Sequence, residues 1–141
     1  MLIIDMVRKI NAMTGFTHAA GVEVTIAEQG LVEMTLEKKP ELLQFNGFFH
    51  GGVIAGLADH AAGAAATTSL PPGKIAVTID LHINYLAPAK GPLLVAKAQC
   101  VQTGSTICVV SVALSSVADQ QATPCAMATV TLRVVDMPPL A

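Results

Sequence analysis

A chain of 141 residues is long enough to bury one substantial core and short for two, so one domain is expected over residues 1–141, with its core in about 20–135 and a short N-terminal helix over about 3–13. Hydrophobic residues make up 52% and charged residues only 13%, about half the usual charged share. This points either to surface covered by another subunit or to an exposed surface rich in Ala, Gly, Ser and Thr, the first being expected. A formal net charge of -2 with no Lys/Arg cluster argues against a nucleic-acid surface and leaves few charges to meet an anionic ligand.

The first ten residues, MLIIDMVRKI, place charge behind the apolar positions and lack a cleavage pattern. They do not read as a secretion signal, no apolar run reaches a convincing membrane span, and the cytoplasm is the expected location. Cys100, Cys108 and Cys125 sit inside apolar runs, with neither a CxxC pair nor a metal-ligand spacing. They read as buried, reduced thiols.

In chain order, Ile3, Met6, Val7, Ile10 and Met13 recur at helical spacing between polar residues and predict a short amphipathic helix. Thr14 to Gly21 is turn-like. Val22–Ala27 and Leu31–Leu36 flank Glu28-Gln29-Gly30 and predict an antiparallel hairpin. Lys38 to Phe49 has no period and reads as a loop. From Gly51 to Thr68 nearly every residue is small or apolar, too long for a strand and too polar at its centre for a membrane span. A helix packed within protein remains, about 27 Å long at 1.5 Å per residue, and Ser69-Leu70-Pro71-Pro72-Gly73 stops it.

The rest reads as strands. Ile75 to Leu86 alternates Ile79, Leu81, Ile83 and Tyr85 against Thr78, Asp80, His82 and Asn84. Leu93–Thr103 and Ser105–Val117 meet at Gly104, Asp119–Thr123 is a polar turn, and Cys125–Val135 is the last strand, ahead of an irregular tail. A hairpin, one long apolar helix and four long strands with short links predict an α+β fold. The helix lies in the concave side of a curved antiparallel sheet, the hotdog arrangement. One sheet leaves such a helix partly uncovered, and a second copy would complete the burial.

Asp59 and His60 are the only ionisable residues in the apolar helix. A carboxylate there needs a pocket, a partner or water. It is either held by a neighbouring strand or acts as a general base or nucleophile toward a carbonyl. His60 points about 100° away around the helix and reads as a packing or interface residue. At His50-Gly51-Gly52 the helix offers unpaired amides with glycines beside them: either a flexible lead-in or a place for an oxygen gaining negative charge. No phosphate loop, GxSxG elbow or metal spacing is present. Phe45, Phe48, Phe49, Ile54, Leu57, Tyr85 and Met34 are candidates to line a pocket or to fill the core.

Gly47-Phe48-Phe49-His50-Gly51-Gly52 followed by Leu57-Ala58-Asp59 resembles the GxxHGGxxxxxxD signature of hotdog acyl-CoA thioesterases of the phenylacetate-pathway (PaaI) type. Thr78 to Pro88 is similar to that family's strand leading into an aromatic-x-x-Pro turn, and the likeness spans roughly residues 20 to 135. The resemblance implies hydrolysis of acyl-CoA thioesters without metal or cofactor, by homodimers commonly paired into tetramers, with sites at the dimer interface. It implies Asp59 as nucleophile or base for water, the Gly51 amide polarising the carbonyl, and His50 holding the acyl or thiol end. Gln44 stands at the position that orients the attacking group, where Asn is commonest in this branch. Thr78 matches a Ser/Thr that some members supply from the opposite protomer. Gly63 stands where several relatives place Ser or Thr. Lys90, Lys97 and Arg133 are candidates to meet CoA phosphates. The alternatives are a hotdog hydratase or dehydratase, which needs a converging His and acid, and an acyl-CoA or aromatic ligand-binding protein without turnover.

Overall fold

The computed structural model describes residues 2–13 and 15–139. Helix α1 (Ile3–Asn11) forms on the predicted apolar stripe. A five-residue helix, α2 (Phe16–Ala20), occupies the stretch expected to be a turn; Thr14 lies outside the described residues. Gly15 (φ 143°) and Gly21 (φ 85°) break the chain on either side of it. Phe16 lies so close to Gly56 that a Cβ there would come within 2.9 Å of its ring.

Six strands follow: β1 (Glu23–Glu28), β2 (Leu31–Glu37), β3 (Lys74–Tyr85), β4 (Leu93–Thr103), β5 (Ile107–Ala118) and β6 (Gln121–Asp136). They form one antiparallel sheet in the order β1-β2-β4-β5-β6-β3. The loop before the long helix carries a single 3-10 turn, Pro40–Leu42. The polar turn expected at Asp119–Thr123 shrinks to Asp119 and Gln120, both at positive φ (50° and 64°), as a two-residue hairpin turn requires. Gln121, Ala122 and Thr123 pair with β5, so β6 begins earlier than Cys125; the polarity of that stretch marks exposure, not a loop.

Helix α3 (Gly51–Thr68) lies on the concave face of the sheet. Ala58, Ala61, Ala62, Ala65 and Ala66 recur on one buried face with Ile54 and Leu57. Their small side chains let the helix sit close to β4 and β5, whose inward residues Leu94, Ala96, Val110 and Val112 are buried against it. Truncating Leu57, 1% exposed, to Ala costs about 2–5 kcal/mol.

The two edges of the sheet differ. Helix α1 covers β1, with Arg8 Nε and Nη2 donating to the Val24 carbonyl at 3.2 and 3.1 Å and Asn11 Nδ2 to that of Val22 at 2.6 Å. The β3 edge is bare and apolar, with Val77 41% and Tyr85 52% exposed. Ile79, expected to face inward, is 58% exposed, because a bulge between Thr78 and Asp80 leaves it unpaired and reverses the alternation of the strand. Thr78 before the bulge and Leu81, Ile83 and Tyr85 after it therefore share the side of α3. No helix among the described residues is long and apolar enough to cross a membrane.

Candidate active site

Asp59, Gly63 and Thr67 stand at i, i+4 and i+8 on α3, with His60 and Ala64 on the adjoining ridge. This face turns toward the β3 edge of the sheet and lines a cavity of about 360 Å³. Its opposite wall is α1, through Met6, Val7 and Ile10, and its third wall is the first half of β3, from Ile75 to Thr78; Met34 of β2 closes it.

At one end of the cavity the Thr78 hydroxyl donates to Asp59 Oδ1 at 2.6 Å, within one chain. Asp59 is half-buried and no cation faces it; among the described residues the one ion pair joins Lys74 to Asp136. Of the structural roles open to Asp59, the geometry gives a hydrogen bond to a strand and no salt bridge. The remaining carboxylate oxygen has no partner among the described residues. A carboxylate held by one hydroxyl, with its second oxygen unspent beside an apolar cavity, can take a proton from water or attack a carbonyl carbon.

His60 belongs to the wall between α3 and α1. Asn11 Nδ2 is committed to Val22, so Asn11 Oδ1 faces His60 Nε2 at 3.0 Å and His60 donates. Burial pushes the His60 pKa below its usual value, against the smaller opposing pull of Asp59. The ring is therefore a neutral link holding α1 against the cavity. Asn11 and α1 as a cavity wall are the features sequence reading missed; the stripe Met6, Val7, Ile10 was visible, but nothing in it said what it covers.

The helix start is built as a separate unit. His50 takes an extended conformation (φ −64°, ψ 138°), and its Nδ1 accepts from the Gly52 amide at 2.9 Å. The ring is thereby fixed as a cap, exposed, with Nε2 left as donor. The Gly51 amide has no acceptor among the described residues. Tyr85 Oη donates to the Gly51 carbonyl at 2.7 Å, and its ring lies 3.4 Å from where a Gly51 Cβ would sit.

Other expected positions are distributed differently. Gln44 opens a tight turn, its amide donating to the Phe48 carbonyl at 2.9 Å, and it is not part of the cavity wall that contains Asp59. Phe49, Ile54 and Leu57 are core, Phe45 is 98% exposed, and of the seven candidate lining residues only Met34 reaches the cavity. Lys90 stacks over Phe48, 5.4 Å from the ring centre. Gly51 and Asp59 lie eight residues apart on one helix, about 12 Å along its axis, so no single carbonyl group touches both within one chain.

A long helix cradled by a curved antiparallel sheet, with one carboxylate facing out of it, is the architecture of the hotdog-fold thioester hydrolases. The chain belongs to the thioesterase superfamily, whose family model matches residues 46–123. A 1,4-dihydroxy-2-naphthoyl-CoA hydrolase of Listeria monocytogenes is 32% identical over 92 residues, covering 65% of this chain and 75% of the relative. A thioesterase family protein of Silicibacter pomeroyi superposes with a TM-score of 0.91 at 25% identity, over 96% of this chain and 100% of the other. A Streptococcus mutans protein solved bound to acetyl-CoA is 33% identical with a TM-score of 0.73, over 82% of this chain and 89% of the other. The E. coli PaaI protein from the phenylacetic acid degradation operon shares the fold, with a TM-score of 0.79 at 22% identity over 94% of this chain and 96% of the other.

Proposed function

We propose that the protein hydrolyses acyl-CoA thioesters to the free acid and CoA, with Asp59 as nucleophile or general base and Thr78 as the residue that orients it. The observation carrying this reading is the Thr78–Asp59 hydrogen bond at the end of an apolar cavity. The hydrolase of Listeria monocytogenes and the acetyl-CoA complex of Streptococcus mutans support a CoA thioester as substrate.

In this mechanism the thioester carbonyl oxygen accepts from the Gly51 amide, and the charge that develops there meets the positive end of α3. Asp59 either takes a proton from the water that adds to the carbonyl carbon, or adds itself to give a mixed anhydride that water then opens. In both cases the C–S bond breaks, the sulfur leaves as CoA thiol with a proton that comes from the water, and the free acid is released. Because about 12 Å of helix separates the two groups, the Gly51 amide serves the Asp59 of a second copy. The bare apolar edge of β3 is the surface on which two copies would pair, bringing Tyr85 and the helix start beside the partner's cavity. His50 would hold the acyl or thiol end beside that amide, and Gln44 would contribute through the same loop. Two such dimers in a tetramer remain compatible with the low charge of the chain.

The test is thiol release with a panel of acyl-CoAs. Wild type is expected to release CoA thiol, and Asp59→Asn to release it at least about 100-fold more slowly while keeping its oligomeric state. Loss of an enoyl-CoA chromophore without thiol release would instead reveal a hydratase, and tight binding with neither a binding protein.

A further inference from the structure

We propose that the cavity between α1, α3 and β3 is the acyl pocket, that it takes unsubstituted aliphatic chains of medium length, and that Gly63 keeps it open. The inference rests on the thioesterase reading above and adds to it the substrate class and the residue that sets chain length.

The cavity begins at the proposed attacking group and leads away from it. Asp59 and Thr78 stand at one end; Thr67 and Ala76 mark the other, where the Ala76 amide donates to Thr67 Oγ1 at 3.2 Å. Two independent rulers give its length. From Asp59 to Thr67 the helix rises about 12 Å, and from Thr78 to Ile75 the strand spans about 10 Å. An extended chain with bonds of about 1.5 Å at tetrahedral angles advances roughly 1.3 Å per carbon, so about eight or nine carbons fit beyond the carbonyl.

The lining decides the chemistry. Met6, Val7, Ile10, Ile75 and Val77 contribute flexible or branched aliphatic surface, without an aromatic ring or a Lys or Arg. The polar groups beyond Asp59 are few and partly committed: Thr78 donates to Asp59, Thr67 Oγ1 accepts from the Ala76 amide and His60 Nε2 donates to Asn11, which leaves the Thr67 hydroxyl hydrogen and His60 Nδ1. A carboxylated acyl group would meet no Lys or Arg there, and a hydroxylated one would desolvate against a mostly aliphatic wall with two polar groups to meet it, costs an alkyl chain does not carry.

Gly63 sits one turn beyond Asp59, about 6 Å along the axis, and a Cβ built on it meets nothing within 4 Å. The space a side chain would fill is the middle of the pocket. The neighbouring helix positions on the buried face are alanines already sealed against the sheet, whereas Gly63 faces the cavity with open space, so a side chain there shortens the pocket without disturbing the core.

The experiment compares kcat/KM for butyryl-, decanoyl- and 4-hydroxybenzoyl-CoA in wild type, Gly63→Leu and Ile10→Trp, with folding checked by circular dichroism. The second variant narrows the pocket from α1, where Ile10 is 37% exposed and tolerates a larger ring. Wild type is expected to prefer decanoyl- over butyryl-CoA by at least about 10-fold and over 4-hydroxybenzoyl-CoA by more. Each folded variant is expected to lower the decanoyl-to-butyryl ratio by about 30-fold or more, several methylenes being lost from the pocket. A wild type that hydrolyses butyryl- or 4-hydroxybenzoyl-CoA at least as well as decanoyl-CoA overturns the pocket while leaving the thioesterase intact. So does an unchanged ratio in both folded variants. No thiol release from any substrate removes the thioesterase reading itself.

Discussion

The hydroxyl of Thr78 donates to Oδ1 of Asp59 at 2.6 Å, and it reaches that oxygen because a bulge at Ile79 turns Thr78 toward the helix. An uninterrupted strand would aim Thr78 at solvent and Ile79 at the helix. The bulge therefore sets both the orientation of the carboxylate and the exposed apolar edge beside it.

Replacing Thr78 by Val keeps the branched shape and removes the donor. The carboxylate loses a hydrogen bond of about 1–3 kcal/mol, which corresponds to a fall in kcat of about 10- to 100-fold. KM is expected to move less than kcat, and Thr78→Ser to recover most of the rate. Steady-state thiol release measures both; equal kcat in Val and wild type would separate Thr78 from the chemistry.

Proline at Gly51 removes one amide hydrogen and sets its Cβ in van der Waals contact with the Tyr85 ring, 3.4 Å away. The first helical position accepts proline, and His50 already holds the extended conformation that precedes one. Gly51→Pro is expected to fold with unaltered circular dichroism and to lose about 100- to 1,000-fold in kcat, the range for an oxyanion donor. Full activity in this variant would move the oxyanion site elsewhere.

Much of this arrangement was legible in the chain itself. The apolar run from Gly51 to Thr68 with Asp59 inside it identified the helix and the residue to question, because burial of a lone carboxylate is costly and alanine-rich runs seek a packed face. The β1–β2 and β4–β5 hairpins followed from β-branched runs punctuated by Gly30 and Gly104, whereas the pairing of β2 with β4 and of β3 with β6 joins runs distant in the chain and carried no local signal. The bulge at Ile79 was not legible, since Thr-Ile-Asp-Leu alternates perfectly and only pairing with β6 breaks the phase. The tie between His60 and Asn11 was also hidden: it joins residues 49 apart through a side chain that counted only among the polar residues between the apolar positions of α1. Gln44 lies on a loop that turns away from the Asp59 of its own chain, so its expected role, like that of Gly51, rests on a second copy.

His60 gives stability a pH dependence of known sign. Burial lowers its folded pKa below the unfolded value of about 6.5. Between those two values the unfolded chain binds the extra proton, so this contribution is fully present above about pH 6.5 and drains away as pH falls through the folded value. The thermal midpoint is expected to drop on acidification below about pH 6.5, and less steeply in His60→Gln. Parallel midpoint curves for the two proteins would show that His60 carries none of the effect.

Thiol chemistry separates the three cysteines. Burial pushes the Cys108 and Cys125 thiols up, and both side chains are inaccessible, whereas Cys100 is partly exposed. A thiol reagent is expected to label at most one site per native chain, Cys100, and all three on unfolding. Rapid native labelling of Cys125 would contradict the packing of β6 against the core.

The central claim is a site shared between two copies, with the Gly51 amide of one facing the Asp59 of the other. Gly51→Pro and Asp59→Asn, each inactive alone, are refolded together in equal amounts and assayed for release of CoA from decanoyl- and butyryl-CoA. Half of the dimers are then mixed, and each carries one intact site, so about a quarter of the wild-type rate returns. A mixture that forms mixed dimers yet stays as inactive as its parents contradicts the shared site.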